Sequence, residues 1–357
     1  MRGATRRLRV GIVGCGVIAQ ERHIPAYRRL RRRAEVVAVC DRNQRLADET
    51  ARRSGFPRAY QSLVDMLAEE RLDVVDLCVP PKSHAQLAFQ AIAADCHVLV
   101  EKPMALSVDE CDQMIRLAMD RKVHLSVVHN NLFHPPFRRA VDAVSKGLAG
   151  EFVGMHILLS TPREEMLDNK RHWYHELPGG LVGETGPHVA YMARAFIPDV
   201  TDVNARGWNR TRSAWTSFDD YLLEISGEQA TCSARLVYSS SARRADVRIF
   251  GTKQILAIDL NGMTMTVTAP RSLAHWSVGV SALKEIAQLQ AGLVSNAASV
   301  GLGRYRLGTE VVIERFIMSI FGECAVPVTP QDGREAVRIM EATVSALSRQ
   351  HEREHSG

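Results

Sequence analysis

"GIVGCGVIA", residues 11–19, is the most informative segment of this 357-residue chain for its fold. It closes an apolar run, and in it Gly14, Gly16 and Ala19 match the pattern G-x-G-x-x-G/A. The first glycine permits a tight turn, the second lets backbone N–H groups approach a pyrophosphate, and the alanine allows close helix packing. Asp41 ends the next apolar run, where an acid can bind an adenosine ribose diol. Together these residues predict a dinucleotide-binding Rossmann domain.

The first 130 residues alternate apolar runs with helical patterns. Runs at 8–13, 36–40, 74–79, 98–100 and 125–128 alternate with helical patterns at 17–32, 43–54, 83–94 and 107–121. Strands that are apolar throughout and separated by helices are typical of a parallel sheet covered on both faces. Ser107 and Glu110 have capping-box spacing, which predicts a helix start there. We therefore predict an NAD(P)-binding Rossmann domain over residues 8–130.

Two neighbouring residues bear on the choice of cofactor. The carboxylate of Asp41 repels a 2′-phosphate and favours NAD, whereas Arg42 beside it can tolerate or bind that phosphate. NAD is therefore the predicted cofactor, and NADP stays an alternative. For Asp41 itself, a helix N-cap with no ligand is the other interpretation.

The segment "VLVEKPMALSVDE", residues 98–110, places an acid, a base and a proline at the end of a buried strand. Ligands of open α/β sheets bind beyond the carboxyl ends of the strands, so Lys102 is expected where a nicotinamide ring lies. Pro103 restricts the backbone of Lys102 to extended conformations, which holds the ammonium in one direction. The alternative is a surface lysine that follows a strand.

From about residue 151 the pattern changes to consecutive strands. Runs at 152–159, 221–226, 231–238, 246–250, 255–260 and 263–267 have no crossover helix between them, which indicates a largely antiparallel sheet. Helical patterns follow at 280–293, 306–321 and 332–349. The predicted class is α/β: an N-terminal Rossmann domain with a parallel sheet plus a C-terminal α/β domain on a large open, mostly antiparallel sheet. That substrate-binding and dimerisation domain is expected over 131–330, and the C-terminal helix, about 331–350, is a candidate to pack back on the first domain.

A histidine-rich region lies before and between these strands. Its glycines at 179, 180, 183 and 186 predict a loop, with an apolar helix beginning near Pro187. Glu184 and His188 are four residues apart, so on one helical turn they face the same way. A carboxylate bonded to an imidazole fixes its tautomer and raises its basicity, as a general base requires. A capping glutamate with a structural histidine explains the spacing equally well. No adjacent-turn histidine pair with a further ligand is seen, so no metal is predicted.

Composition excludes several classes of protein. The net charge is +5, and most of the 45 basic residues are arginine. The arginine-rich cluster at 28–33 is interpreted as a solvated helix end rather than a surface that binds nucleic acid, so no nucleic-acid partner is predicted. The 7 scattered cysteines contain no Cys-x-x-Cys pair, which argues against a disulfide framework or zinc site and fits a reducing compartment. With no bilayer-length apolar run and no apolar leader, a cytoplasmic protein without membrane attachment is expected.

Taken together, these segments resemble the Gfo/Idh/MocA family, named for glucose–fructose oxidoreductase and inositol dehydrogenase. The resemblance covers nearly the whole chain and rests on GIVGCGVIA, VPPKSH, HVLVEKPMALS, GGLVGETGPH and IFGTKQILAIDL. It implies a second-domain sheet that covers the cofactor and mediates dimerisation, so a homodimer or homotetramer is expected. The family's lysine falls on Lys102 and its histidine on His188; the acid four residues earlier, usually Asp, is Glu184 here. Residues 129–134 and 173–176 depart from the family's pattern beside the expected substrate pocket.

Three sets of site residues are predicted. The catalytic residues are Lys102, His188 and Glu184. The cofactor-binding residues are Gly14, Gly16, Val17, Ile18, Ala19, Asp41, Arg42, Val79, Pro80, His84, Glu101, Lys102 and Asn130. The substrate-binding residues are Lys102, Asn131, Arg163, Arg171, His172, Trp173, His175, Glu184 and His188.

The predicted reaction is reversible hydride transfer between nicotinamide C4 and a secondary alcohol or ketone of a sugar, cyclitol or nucleotide sugar. In oxidation His188 accepts the hydroxyl proton, Lys102 stabilises charge on the same oxygen, and Glu184 orients His188. The lysine and histidine roles can also be exchanged. Two alternatives are a redox-neutral NAD-dependent lyase or glycosidase acting through a transient keto-sugar, and a non-catalytic NAD(P)-binding sensor or regulator. The presence of both Lys102 and His188 argues against the sensor.

Overall fold

The computed structural model describes residues 6–268, 272 and 274–355, which form two compact units. The first unit comprises the described residues up to Asn130 together with Leu307–Arg338. The second comprises Asn131–Arg306 and the described residues from Ile339 onward. Within residues 6–268, 272 and 274–355, no helix combines the length and apolar character needed to cross a membrane.

Ten α-helices occur in the described residues. They are α1 Ile24–Arg29, α2 Gln44–Ser54, α3 Leu63–Glu69, α4 His84–Ala93, α5 Val108–Arg121, α6 Pro135–Ser145, α7 Leu181–Arg194, α8 His275–Gly301, α9 Gly308–Ile320 and α10 Pro330–His355. The capping box predicted at the start of α5 is confirmed: the Glu110 N–H donates to the Ser107 hydroxyl at 3.2 Å, and the Ser107 N–H donates to the Glu110 carboxylate at 3.2 Å.

Thirteen strands occur in the same part of the chain. They are β1 Leu8–Val13, β2 Ala34–Cys40, β3 Arg58–Tyr60, β4 Val74–Leu77, β5 His97–Val100, β6 Leu125–Val127, β7 Phe152–Ser160, β8 Asp202–Trp208, β9 Asp220–Ser226, β10 Thr231–Val237, β11 Arg244–Gly251, β12 Ile255–Asp259 and β13 Thr264–Thr268.

The first unit is built on a parallel sheet in the order β3-β2-β1-β4-β5-β6. This is the strand order of a dinucleotide-binding fold, whose crevice opens at the carboxyl ends of β1 and β4. Val10, Ile12, Val98 and Leu99 are fully buried, because helices cover both faces of a parallel sheet. The predicted parallel Rossmann sheet is confirmed, although the pattern gave no sign of the three-residue β3.

A later stretch of the chain, Leu307–Arg338, completes the first unit. The guanidinium of Arg334, at the start of α10, donates to both carboxylate oxygens of Asp112 on α5, at 2.6 and 3.1 Å. The Ser126 hydroxyl of β6 donates to the Val328 carbonyl at 2.8 Å. A paired guanidinium and a buried hydroxyl bond fix this segment beside β6 and α5.

The second unit is built on a seven-stranded sheet in the order β13-β12-β11-β7-β10-β9-β8. Every neighbouring pair is antiparallel except β7 and β10, which run parallel. One face is apolar and buried through Ile157, Leu223 and Ala234, and α7 packs against β7 and β10. The predicted mostly antiparallel sheet is therefore confirmed.

The start of α7 differs from the prediction. The glycines at 183 and 186 lie inside the helix, which begins at Leu181 and contains Pro187. A Cβ on Gly183 would lie 2.6 Å from the Pro178 carbonyl oxygen, and one on Gly186 would lie 2.6 Å from the Met340 methyl carbon. These glycines thus permit close packing rather than a loop, a reason that the linear pattern does not reveal.

Candidate cofactor and active site

The glycine-rich turn after β1 has the geometry of a phosphate-binding loop. Gly14 has a φ of 95°, and a Cβ on it would lie 2.4 Å from the carbonyl oxygen of Cys78, so only glycine fits there. Around Gly16, apart from the residues next to it in the chain, no heavy atom of the described residues lies within 4 Å of the position of a Cβ. Gly14 therefore closes the turn against the end of β4, whereas Gly16 leaves room for a ligand to reach the backbone.

The helical segment after this turn presents its first residues outward. Val17 is 72% exposed and Ile18 is 38% exposed, whereas Ala19 is buried against the sheet. One turn of π-helix, Ala19–His23, leads into α1. Backbone N–H groups at such a helix start attract the negative charge of a pyrophosphate. The arrangement fits a dinucleotide.

Asp41, at the end of β2, faces the glycine-rich turn. One carboxylate oxygen accepts the Cys15 N–H at 2.9 Å, and the other accepts the Asn43 N–H at 2.9 Å. Asn43, not Asp41, is the N-cap of α2. Each carboxylate oxygen can accept more than one hydrogen bond, so the oriented carboxylate can also accept the two hydroxyls of a ribose. Arg42 is exposed beside it.

The ends of β4 and β5 are linked through His84. This side chain is fully buried, with Nε2 2.8 Å from the Val79 carbonyl and Nδ1 2.7 Å from the Pro103 carbonyl. Burial lowers its pKa, although both carbonyl contacts act in the opposite direction. His84 thus holds the Val79–Pro80 segment beside the Lys102–Pro103 segment, whose peptide bond is cis.

A buried network lies beneath Lys102. His23 is fully buried, with Nδ1 2.8 Å from an Asp76 carboxylate oxygen and Nε2 3.0 Å from a Glu101 carboxylate oxygen. Burial by itself lowers the pKa of His23, but the charges of Asp76 and Cys78 and the hydrogen bonds to them together outweigh it, and the pKa is raised well above its ordinary value. The other Glu101 oxygen accepts the Lys102 N–H at 3.1 Å. The network fixes the backbone from which the Lys102 side chain extends.

The described residues contain one group of side chains that could together hold a metal ion, with ligand atoms within 4.8 Å of one another: His23, Asp76 and Cys78. Both ring nitrogens of His23 are already bonded to carboxylates. Burial, together with the charge of Asp76, raises the pKa of the Cys78 thiol to about 12, so the sulfur keeps its proton in the metal-free protein. The chemistry of the cluster favours an ion-pair network.

The end of β6 supplies His129 and Asn130. His129 is 1% exposed, and burial lowers its pKa to about 3, although the charges of Asp332 and Glu101 act in the opposite direction. Asn130 begins a 3₁₀ turn. Gly308 packs so closely against Asn130 itself that a Cβ on Gly308 would lie 1.9 Å from the Asn130 carbonyl oxygen. The chain at the end of β6 is therefore tightly packed.

In the second unit, α7 carries Glu184 and His188 on one face, as their four-residue spacing requires. The Nδ1 atom of His188 lies 2.5 Å from the Tyr191 hydroxyl and 3.4 Å from the Asn131 amide nitrogen. The Tyr191 oxygen also accepts the Asn131 backbone N–H at 3.3 Å. Sequence reasoning missed Tyr191, although its three-residue spacing from His188 on a helix is a signal that could have found it.

The predicted substrate residues that follow β7 form a second group. The exposed Arg163 guanidinium is paired with Asp168 at 3.0 Å, and the His172 ring stacks on Tyr174 with centroids 3.9 Å apart. Both ring nitrogens of His175 are buried and have no hydrogen-bond partner among the described residues. Trp173 is half-buried and Arg171 is exposed. Buried polar atoms without partners are rare in proteins and call for an explanation, such as a water or a ligand group that bonds them after the neighbouring side chains shift.

A cavity of about 640 Å³ also lies in the second unit. It is lined by residues 207–209 and 213–218 together with His351 and Glu354, and its described lining contains none of the predicted substrate residues. The cavity therefore gives no support to those residues as a substrate pocket.

The turn with Gly14 and Gly16, the Asp41 carboxylate and the strand order define a dinucleotide-binding protein. A family model described as an oxidoreductase family with an NAD-binding Rossmann fold matches residues 8–129, and the model of the Gfo/Idh/MocA C-terminal domain matches residues 137–257. These matches cover more than half of the chain, and the chain belongs to the Gfo/Idh/MocA oxidoreductase family.

Three similar proteins illustrate the range of the family. An uncharacterized oxidoreductase of Rhizobium meliloti, ORF334, is 31% identical over 262 residues, which are 70% of this chain and 74% of the relative. The D-glucoside 3-dehydrogenase of Escherichia coli is 31% identical over 211 residues, 57% of this chain and 58% of the relative. The WlbA dehydrogenase from Bordetella pertussis, crystallised with NADH and UDP-GlcNAcA, superposes with a TM-score of 0.81 at 20% identity, covering 97% of this chain and 96% of that one. At 20% identity, the similarity to the WlbA structure shows a shared fold and no more.

The family, the fold class, an enzyme of the oxidoreductase class and NAD as the cofactor are thus confirmed. NAD supplies an acceptor for a hydride when bound, and Gly14, Gly16 and Asp41 would hold it. The roles of the individual site residues and the substrate stay predictions.

Proposed function

We propose that this protein is an NAD-dependent dehydrogenase that oxidises a secondary alcohol of a sugar, cyclitol or nucleotide sugar, and reduces the ketone in the reverse direction. In the proposed mechanism His188 accepts the hydroxyl proton. Lys102 donates a hydrogen bond to the same oxygen and stabilises the negative charge that develops there. Glu184 and the neighbours of His188 orient its ring.

The observation that carries the proposal is the hydrogen bonding of His188. The Tyr191 oxygen already accepts the backbone N–H of Asn131, and its second lone pair can accept Nδ1–H of His188. In this tautomer the side-chain amide of Asn131, 3.4 Å from Nδ1, is flipped so that its carbonyl oxygen and not its NH2 group faces Nδ1–H. With the proton on Nδ1, the neutral imidazole has its lone pair on Nε2, which is then the basic nitrogen. After proton transfer, Nδ1–H still donates to Tyr191 and the charged ring is stabilised. A histidine oriented in this way is suited to accept a proton.

The surroundings of Lys102 support its role. Glu101 accepts the backbone N–H of Lys102 and is itself bonded to His23. Burial alone would raise the pKa of Glu101, but the hydrogen bond and charge of His23 lower it below its ordinary value. An ionised, bonded carboxylate holds this backbone in one place, which a group that stabilises a developing charge requires.

The choice of substrate class rests on the polar atoms of the second unit. His175 offers two buried ring nitrogens and His172 one, each without a hydrogen-bond partner among the described residues. A polyhydroxylated ligand supplies such partners, whereas an apolar alcohol leaves these atoms unsatisfied. The names of two similar proteins agree with this class, since one is a D-glucoside 3-dehydrogenase and the other was crystallised with UDP-GlcNAcA.

Nicotinamide absorbance tests the proposal. Purified protein is mixed with NAD or NADP and a panel of glycosides, inositols, sugar phosphates and nucleotide sugars; we expect reduction with one group of alcohols and a preference for NAD. Lys102→Met is expected to abolish reduction while NAD binding persists. Lys146→Met, which changes an exposed lysine on the surface, is the matched control and is expected to retain full activity. Cofactor binding with no reduction, and no oxidation of NADH by the matching ketones, would contradict the proposal.

A further inference from the structure

The helix α8 carries large apolar side chains on its solvent side. Trp276, Leu283, Ile286, Leu293 and Val300 are 75%, 66%, 52%, 50% and 60% exposed, and α8, which is described throughout its 27 residues, has no buried residue. Single exposed apolar residues are common on protein surfaces. A line of large apolar side chains along a helix about 40 Å long, interrupted by one polar residue, Gln290, is not common, and such faces mark interaction sites.

The polar side of α8 faces its own unit. The Gln288 side chain accepts the Val267 N–H at 2.8 Å and donates to the Val267 carbonyl at 3.1 Å, so it bonds the open edge of β13. The Asn296 amide donates to the Gly262 and Met263 carbonyls at 3.0 and 3.1 Å. A surface helix normally turns its apolar side inward. This one is attached by amides and turns its apolar side outward.

The exposed side chains follow a repeat of three and four residues. We call the line Trp276, Gly279, Leu283, Ile286, Gln290, Leu293, Ala297 and Val300 the seam. It runs for about three and a half heptads, which is long enough for a coiled coil. Successive residues of an α-helix are rotated by about 100° around its axis. The centre of the seam therefore lies about 140° around the helix from the side on which Gln288 and Asn296 bond β13 and the turn before it. The seam therefore faces away from the sheet edge.

We infer that the seam pairs with the seam of a second copy of this chain, the two helices running antiparallel. The spacings between successive seam residues, three and four in alternation, are the same when read from either end of the helix. In an antiparallel pair each seam residue therefore lies opposite a seam residue of the second copy. Trp276 then meets Val300, and Leu283 meets Leu293. A parallel pair would put the two bulky Trp276 side chains in one layer and two glycines in the next, which packs unevenly. Antiparallel helices also align their dipoles favourably.

Other occupants fit the helix less well. Its charged side chains are Lys284 and Glu285, of opposite sign. A helix that lies on a membrane presents lysine and arginine on its polar face, whereas the polar face of α8 is bonded to β13. The apolar face covers on the order of 400 Å² in projection, a large share of the roughly 800 Å² that each partner of a stable interface buries. A twofold pair also uses one surface twice, as most homo-oligomers do.

The oligomeric mass in solution tests this interface. We expect wild-type protein to be an oligomer by light scattering after gel filtration, and the double variant Leu283→Glu/Leu293→Glu to have half its mass, with an unchanged circular dichroism spectrum and NAD affinity. Met119→Glu, which changes a side chain that is 69% exposed on α5, is the control and should keep the wild-type mass. A monomeric wild-type protein, including one that binds vesicles of anionic phospholipid, or a double variant of unchanged mass, would overturn the inference.

Disulfide trapping tests the direction of the helices without disturbing the fold. In the antiparallel pair residue 283 faces residue 293 of the partner, while the two residues at 283 are about 15 Å apart, too far for a disulfide. The variant Leu283→Cys/Leu293→Cys is therefore expected to give a covalent dimer on mild oxidation, and Leu283→Cys alone is not. The wild-type cysteines are the background control, since six are buried and Cys324 is partly exposed. Cross-linking of the single variant, or none in the double variant, would refute the antiparallel pair.

Discussion

Removal of one hydroxyl, by Tyr191→Phe, tests the role of His188 closely. In the proposed mechanism the 2.5 Å contact between Nδ1 and the Tyr191 oxygen strengthens when the ring becomes charged. Hydrogen bonds to charged groups contribute about 1.5–3 kcal/mol. Because about 1.4 kcal/mol corresponds to a factor of ten in rate, kcat should fall about 10- to 150-fold.

The assay separates positioning from folding. Steady-state kinetics should show the loss in kcat with a small change in KM, and calorimetry should show unchanged NAD affinity, since the hydroxyl lies in the second unit. Tyr60→Phe removes a hydroxyl bonded to Glu69 and Glu70 on the first unit and should leave kcat unchanged. A Tyr191→Phe enzyme with kcat within twofold of wild type would refute the assignment of His188 as a base oriented by Tyr191.

Three further perturbations address the first unit. Gly14→Ala forces a Cβ to within 2.4 Å of the Cys78 oxygen and should lower the free energy of unfolding by about 1–3 kcal/mol. Gly16→Ala, by contrast, should keep the wild-type stability but bind NAD more weakly. Equal losses of stability for the two variants in urea denaturation would contradict this. Asp41→Ala should weaken the binding of NAD more than the binding of NADP in calorimetry, because it removes both the acceptor for the ribose hydroxyls and the repulsion of a 2′-phosphate. An equal loss of affinity for both cofactors would contradict the role of Asp41 in binding the ribose. The pKa of His129 is lowered to about 3, so below its ordinary value near 6.5 the unfolded chain binds a proton that the folded chain does not. Stability should therefore fall by about 2 kcal/mol between pH 7.5 and pH 5, and His129→Gln, compared in urea at both pH values, should show a smaller loss than wild type.

The parts of the site that can be predicted from the sequence are those whose structure is determined by a short segment of the chain. Gly14, Gly16 and Asp41 lie at the ends of β1 and β2, and parallel strands bring such ends to one edge of the sheet. Ser107 and Glu110 are a pair within one helical turn. In each case a short segment contains the whole physical reason, so its pattern suffices.

Contacts between distant segments could not be predicted in this way. His23 bonds Asp76 and Glu101, which are 53 and 78 residues away, and a lone histidine in a helix gives no sign of such partners. The inverted polarity of α8 was missed because its periodicity marks an apolar side without showing what that side faces. The 3-residue strand β3 was too short for a pattern.

Transfer of a deuterium label shows whether the hydride of the alcohol reaches the nicotinamide. The alcohol that is oxidised in the absorbance panel would be prepared with deuterium on its carbinol carbon, and the nicotinamide product analysed by mass spectrometry. We expect one deuterium in the reduced nicotinamide with wild-type protein and none with Lys102→Met. Reduced nicotinamide without deuterium, with the label kept in the sugar product or released to water, would contradict direct hydride transfer by a dehydrogenase.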